Sequence, residues 1–202
     1  MVKKIISLIL ITGLIASLSA CASTQTFGGV VENISGGTVY KPKQHTVPTI
    51  DENAPEPMGV NYSDTSGRFE LQMPAVGWGS TAIDNGTRFV PSDYTVDTMS
   101  SIVFTETALK GNLNEESIRA SIEEQCSGAE FDLNYIGFSN ITVSNSPAYR
   151  SDYEVTVDGI RTRQIQVIMN KGDKTYYFTF CDGTADFKYI SNFEQSILTI
   201  KL

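Results

Sequence analysis

The chain has 202 residues, with 15 basic and 23 acidic side chains, a formal net charge of −8 and one histidine. Nucleic acid is a poor partner for so acidic a protein, because phosphates require neutralisation by Lys and Arg. His45 and three cysteines without Cys-x-x-Cys spacing leave little from which to build imidazole catalysis or a zinc centre, and no cofactor is expected.

Lys3 and Lys4 precede an apolar run from Ile5 to Leu18, shorter than a membrane span and interrupted by Ser7, Thr12, Gly13 and Ser17. The run ends in Leu18-Ser19-Ala20-Cys21, which resembles the lipobox of bacterial lipoproteins. That resemblance implies a signal peptide over 1–20, a diacylglyceryl thioether at Cys21 and commonly an added acyl chain such as palmitate. An ordinary leader cut after Ala20 is the alternative. Loss of Lys3 and Lys4 with the leader takes the net charge from −8 to −10, so anionic headgroups would repel the mature protein. The lipid must then supply membrane attachment, and two acyl chains suffice where one is marginal.

From Ala22 to about Thr65 the sequence is polar and broken by Gly28-Gly29, Gly36-Gly37, Pro42, Pro48, Pro55 and Pro57. Such a stretch has too little apolar surface to offset its ordering entropy, and 21–65 is predicted to be a lipidated, disordered tether. As a flexible coil it would span about 35–40 Å. Residues 66–202 carry the apolar density of one folded domain.

Phe69-Glu70-Leu71-Gln72-Met73 alternates like a half-buried strand, which Pro74 ends. Thr87 to Val90 and Ser101 to Glu106 have weaker strand character, and Gly79 to Asp97 reads as a long loop. Ile118, Ile122 and Cys126 recur every fourth residue behind Asn114, predicting an amphipathic helix with an Asn N-cap and Glu115 and Glu116 in its first turn. Asp158-Gly159 predicts a two-residue hairpin turn that sets Val157 opposite Ile160, Val155 opposite Thr162 and Glu154 opposite Arg163. One hairpin face carries Tyr149, Tyr153, Val155, Val157 and Ile168, the other Ile165, Val167 and Met169, so both are expected to be covered. Tyr176, Phe178 and Phe180 share a face of a further strand. Phe187, Ile190, Phe193 and Ile197 form the stripe of a closing helix capped near Thr184 or Asp186.

The strand through Phe69 to Pro74 running into Gly77-Trp78, the helix around Ile118, the Asp158-Gly159 hairpin, the Lys174 to Phe180 strand and the closing helix together resemble the PsbP-like family. The resemblance implies an α+β fold, an α/β/α sandwich around a mainly antiparallel sheet, and a non-catalytic, partner-binding role.

Chemistry-bearing candidates are few. Glu130 with Asp132, or Asp182 with Asp186, offers an acid pair or weak cation site, against the simpler reading of solvated carboxylates. Cys126 and Cys181 are either a disulfide or two packed thiols. Trp78 is a recognition anchor or a core cap, and Tyr149, Tyr153 and Tyr176 either line a pocket or pack structurally. The expectation is a lipid-anchored binding or assembly module on the extracytoplasmic face of a bacterial membrane, contacting an envelope protein or small ligand. Its alternatives are a structural surface component and a carboxylate-based hydrolase.

Overall fold

A computed structural model describes residues 59–95, 99–109, 113–128 and 130–202. Cys21, His45 and the tether as far as residue 58 lie outside the described residues. The elements in chain order are β1 (Asn61–Ser63), β2 (Glu70–Gln72), β3 (Trp78–Ile83), β4 (Gly86–Pro91), β5 (Ser101–Ala108), α1 (Glu115–Gln125), β6 (Phe131–Val143), β7 (Ser146–Val157), β8 (Ile160–Lys171), β9 (Lys174–Asp182) and α2 (Ile190–Leu198).

Strands β3 to β9 form one antiparallel sheet in the order β3-β4-β5-β9-β8-β7-β6. The chain leaves the sheet after β5, crosses one face as α1, re-enters at the far edge as β6, and meanders back until β9 pairs with β5. The opposite face is covered by α2 and the small β1–β2 sheet. This is the α+β, helix–sheet–helix architecture expected.

Period-2 alternation divides the side chains between the two layers. Under α2 lie Phe69, Phe89, Ile102, Phe104, Ile165, Val167, Met169, Phe178, Phe180, Phe193 and Ile197. Phe69 sits at the centre, its ring 4.1 Å from Phe104 and 5.4 Å from Phe178. Under α1 lie Ile118, Ile122, Tyr135, Tyr153, Val155 and Ile168. The predicted hairpin register is the observed one: Val157 faces Ile160, Val155 faces Thr162, and Glu154 faces Arg163.

Three expectations need correction. The segment from Gly79 to Asp97 is chiefly a hairpin, β3–β4, turned at Asp84-Asn85 with Asn85 at φ 58°. Gly86 follows because β4 runs tight against β5 there: a Cβ would lie 1.9 Å from the Phe104 carbonyl oxygen. The tether boundary at 65 is too late. Tyr62 on β1 packs edge-on against Phe89 at 4.7 Å, and Asp64 accepts from the Ser66 backbone and holds Arg68 at 2.7 Å, tying these residues to the domain. The closing helix begins at Ile190 and not near Phe187, since Phe187 stands at φ 52°, outside helical space.

The N-cap of α1 is as predicted. Asn114 Oδ1 accepts from Ser117 N at 2.8 Å, and Ser117 Oγ accepts from Asn114 N at 3.1 Å. Only Ile118 and Ile122 are buried from this helix, so the cap carries much of its local stability. Asn114→Ala is expected to cost about 1 kcal/mol, read as a lower urea midpoint at unchanged slope.

Candidate functional site

Trp78 reaches inward from edge strand β3 and packs edge-on against Tyr189 at 5.4 Å and Phe193 at 5.9 Å. It closes the α2 layer of the core, and its indole Nε1 is buried without an acceptor among the described residues. Tyr176 lies in the same layer, stacked 6.1 Å from Phe104. Tyr149 and Tyr153 project to the other face, where Tyr149 stacks on Phe138 at 6.0 Å and Tyr153 is buried beneath α1. The sheet therefore separates the four aromatic candidates into two pairs, and no one pocket collects them.

The densest polar chemistry is a buried charge cluster that the sequence reading did not pick out. Arg150 on β7 is 2% exposed; its Nε and Nη2 donate to Asp152 at 2.7 and 3.0 Å, and its Nη1 and Nη2 donate to Glu194 of α2, both at 2.6 Å. Asp152 is 1% exposed and also faces Arg163 at 3.5 Å. Burial opposes the charged guanidinium, but the bonds to Asp152 and Glu194 outweigh it and hold the Arg150 pKa above its ordinary value. Two carboxylates are clamped on one guanidinium and turned away from solvent. Their geometry suits bolting α2 to the sheet and does not suit proton transfer to a substrate.

Asp182, offered above as half of an acid pair, is fully buried at the end of β9. Its Oδ1 accepts from Thr184 N at 3.0 Å, Thr184 Oγ1 at 2.7 Å and Ser100 Oγ at 3.3 Å, and its Oδ2 accepts from Tyr189 N at 2.6 Å. It therefore anchors the chain entering α2, while Asp186 is exposed and is not among its partners. Thr184, a predicted cap, contributes through its Oγ1, which accepts from Lys188 N at 2.9 Å. Glu130 and Asp132 are both exposed. No group of three or more metal-ligating side chains occurs among the described residues.

Cys126 and Cys181 are thiols in this structure, Cys126 partly buried at the end of α1 and Cys181 buried on β9. Burial pushes the first up to about 11 and the second up to about 12. The thiolate is the reactive form, so neither is poised as a nucleophile. Both lie close enough to Tyr153 to help raise its phenol, after burial, well above its usual value.

A shallow cleft of about 480 Å³ opens where the Asp158-Gly159 turn meets the β9–α2 connection, lined by Gly159, Ile160, Arg161, Gly183, Thr184, Ala185 and Phe187. Arg161 lies 4.8 Å over the Phe187 ring and is held by Glu154 at 2.9 Å, and Thr184 is engaged by Asp182. The polar side chains of the cleft are thus already committed within the fold.

No protein-family model matches the sequence, and no curated protein matches it. Solved structures do. The solution structure of cyanobacterial PsbP (CyanoP) from Synechocystis sp. PCC 6803 is similar at a TM-score of 0.54 and 11% identity, over 71% of this chain and 91% of that one. LpqN, involved in cell envelope biogenesis of Mycobacterium tuberculosis, is more loosely similar at a TM-score of 0.49 and 12% identity, over 66% of this chain and 82% of its own. At such identities the likeness speaks for architecture alone. The chain has a PsbP-like α+β fold, in which one antiparallel sheet is held between α2 with the β1–β2 pair on one side and α1 on the other.

Proposed function

We propose that this protein is a lipid-anchored, non-catalytic binding or assembly module on the extracytoplasmic face of a bacterial cell envelope. The observation that carries this reading is Cys21 at the end of Leu18-Ser19-Ala20-Cys21, behind Lys3, Lys4 and a short apolar run. Two features of the domain support it. The resemblance to PsbP-like proteins implies partner binding, and the buried charges Arg150, Asp152, Glu194 and Asp182 are all spent on holding α2 to the sheet. A module of this kind works through its surface, at a distance from the membrane set by the residues between Cys21 and β1. No helix among the described residues is long and apolar enough to cross a membrane.

Cys21→Ser is the test. The wild-type protein is expected to incorporate labelled palmitate in the native host and to partition into the detergent phase. The variant should lose the label and move to the aqueous phase, because the apolar chains, at about 0.8 kcal/mol per buried CH₂, are the whole of its membrane affinity. A variant that still sediments with membranes would overturn the anchor.

A further inference from the structure

Among the described residues the seven-stranded sheet ends in two edge strands, β3 and β6, and they differ in kind. Strand β6 runs for 13 residues and, among the described residues, pairs with β7 on one side only. Among the described residues, the one backbone hydrogen bond reaching it from outside that ladder joins Phe131 N to the Gly128 carbonyl. Edge strands are usually blunted by brevity, lysine, proline or a bulge. Residues 133–143 contain no charge and no proline, and their one irregularity is the bulge between Tyr135 and Gly137.

Beyond that bulge, residues 137–143 form a regular strand flanked by apolar side chains on both faces of the sheet. Phe138 is half-buried on the α1 side, and Ile141 is half-buried against the α2 core. Each would be covered by the side chains of one added strand. Strand β3 lacks this feature, since its four central residues, Gly79 to Ala82, are small and exposed.

Charge selects among occupants. Helix α1 packs over β6 and exposes Glu115, Glu116, Glu123 and Glu124, while Glu130 and Asp132 are exposed at the start of the strand. The cation on this helix, Arg119, lies 5.2 Å over Tyr135 and is paired with Glu123 at 2.7 Å. A second copy of this chain would bring the same acids against these, at a cost. A strand carrying lysine or arginine would be drawn in.

We propose that the outer edge of β6 at residues 137–143, beneath the acidic rim of α1, accepts an extended partner segment that alternates apolar and basic side chains. Main-chain hydrogen bonds would extend the sheet by one strand; its apolar residues would lie on the Ile141 side against the α2 core, and its cations on the α1 side, their stems over Phe138 and their charges toward the glutamates. This rests on the binding-module reading and names the surface and partner chemistry that reading requires.

Full-length protein in detergent can be offered a synthetic peptide of alternating valine and lysine and followed by hydrogen exchange. Protection is expected at residues 137–143 and not at β3. Asn140→Lys, an exposed change on the strand, should weaken binding about tenfold. The same peptide N-methylated at alternate amides should bind at least about tenfold more weakly, since it keeps charge and side chains but cannot complete the ladder. Equal binding of the methylated peptide, no binding of either, protection confined to β3, or self-protection of β6 that grows with protein concentration would each overturn the proposal, the last in favour of a second copy. In cells, a photo-crosslinker at Asn140 is compared with one at Ser80 on β3. A specific adduct from Ser80 alone removes this surface and leaves the binding reading standing; no specific adduct from either position removes both.

Discussion

Arg150→Met is expected to destabilise the folded domain by about 3–5 kcal/mol, the usual cost of removing one partner from a buried ion pair. The guanidinium is 2% exposed and the carboxylates it serves, Asp152 and Glu194, are 1% and 10% exposed. Methionine preserves most of the side-chain volume, so the loss isolates charge from packing. It leaves two anions facing each other between β7 and α2, with Arg163 at 3.5 Å from Asp152 as partial relief. For a domain of this size the melting temperature should fall by on the order of 10 °C. The contrast that identifies the cause is the triple variant Arg150→Met, Asp152→Leu, Glu194→Met. Replacing a whole buried cluster by apolar groups is often neutral or stabilising, so the triple variant should recover most of the loss. A single variant within about 1 kcal/mol of wild type, or a triple variant no better than the single one, would show that the cluster does not bear α2.

What could be read from the sequence depended on how locally each feature is encoded. The Asp158-Gly159 turn fixes its own register, because the φ of 51° and 81° at these two positions is what a two-residue turn demands and what Asp and Gly accept. The N-cap at Asn114 is local in the same way. Strand β3 was not legible because Gly79-Ser80-Thr81-Ala82 buries nothing and so shows no alternation; its Asn85-Gly86 step was the available signal. Strand β6 was hidden by its bulge. Phe131, Leu133 and Tyr135 share one face, and after the register shift Phe138 takes over that face while Ile141 and Val143 turn to the other, so no single period of two runs through the segment. The buried cluster was the least legible of all. Arg150 and Asp152 look like ordinary polar positions in a strand pattern, and the group that demands their burial, Glu194, lies 44 residues from Arg150.

The two layers differ in what they bury. The α2 side holds the large aromatic core and both buried carboxylate anchors, Asp182 and the Arg150 cluster. The α1 side is lighter, with a helix that buries two isoleucines and exposes four glutamates near β6, an edge strand among the described residues. Stability is therefore concentrated on the face that closes the fold.

Asp182→Ala is expected to cost about 3–5 kcal/mol, and the size follows from what its carboxylate holds. Oδ2 accepts from Tyr189 N at 2.6 Å, immediately before α2, where the free N–H groups and the helix dipole favour a negative charge. Oδ1 gathers Thr184 N, Thr184 Oγ1 and Ser100 Oγ, joining the β9–α2 connection to the residue just before β5. Alanine strands these donors in the interior, each buried orphan costing about 1–3 kcal/mol. Asp182→Asn separates the contributions. Its amide oxygen can still serve the Thr184 and Ser100 donors, but its NH₂ then meets the Tyr189 N–H, donor against donor. It should therefore lose less, about 1–3 kcal/mol. Hydrogen exchange places the effect: residues 184–198 should open sooner in the alanine variant, with the β6–β7 pair little changed, because α2 loses its anchor while the meander keeps its ladders. If alanine and asparagine cost the same, or exchange rises evenly across the sheet, Asp182 is filling space in the core and is not capping the helix that closes it.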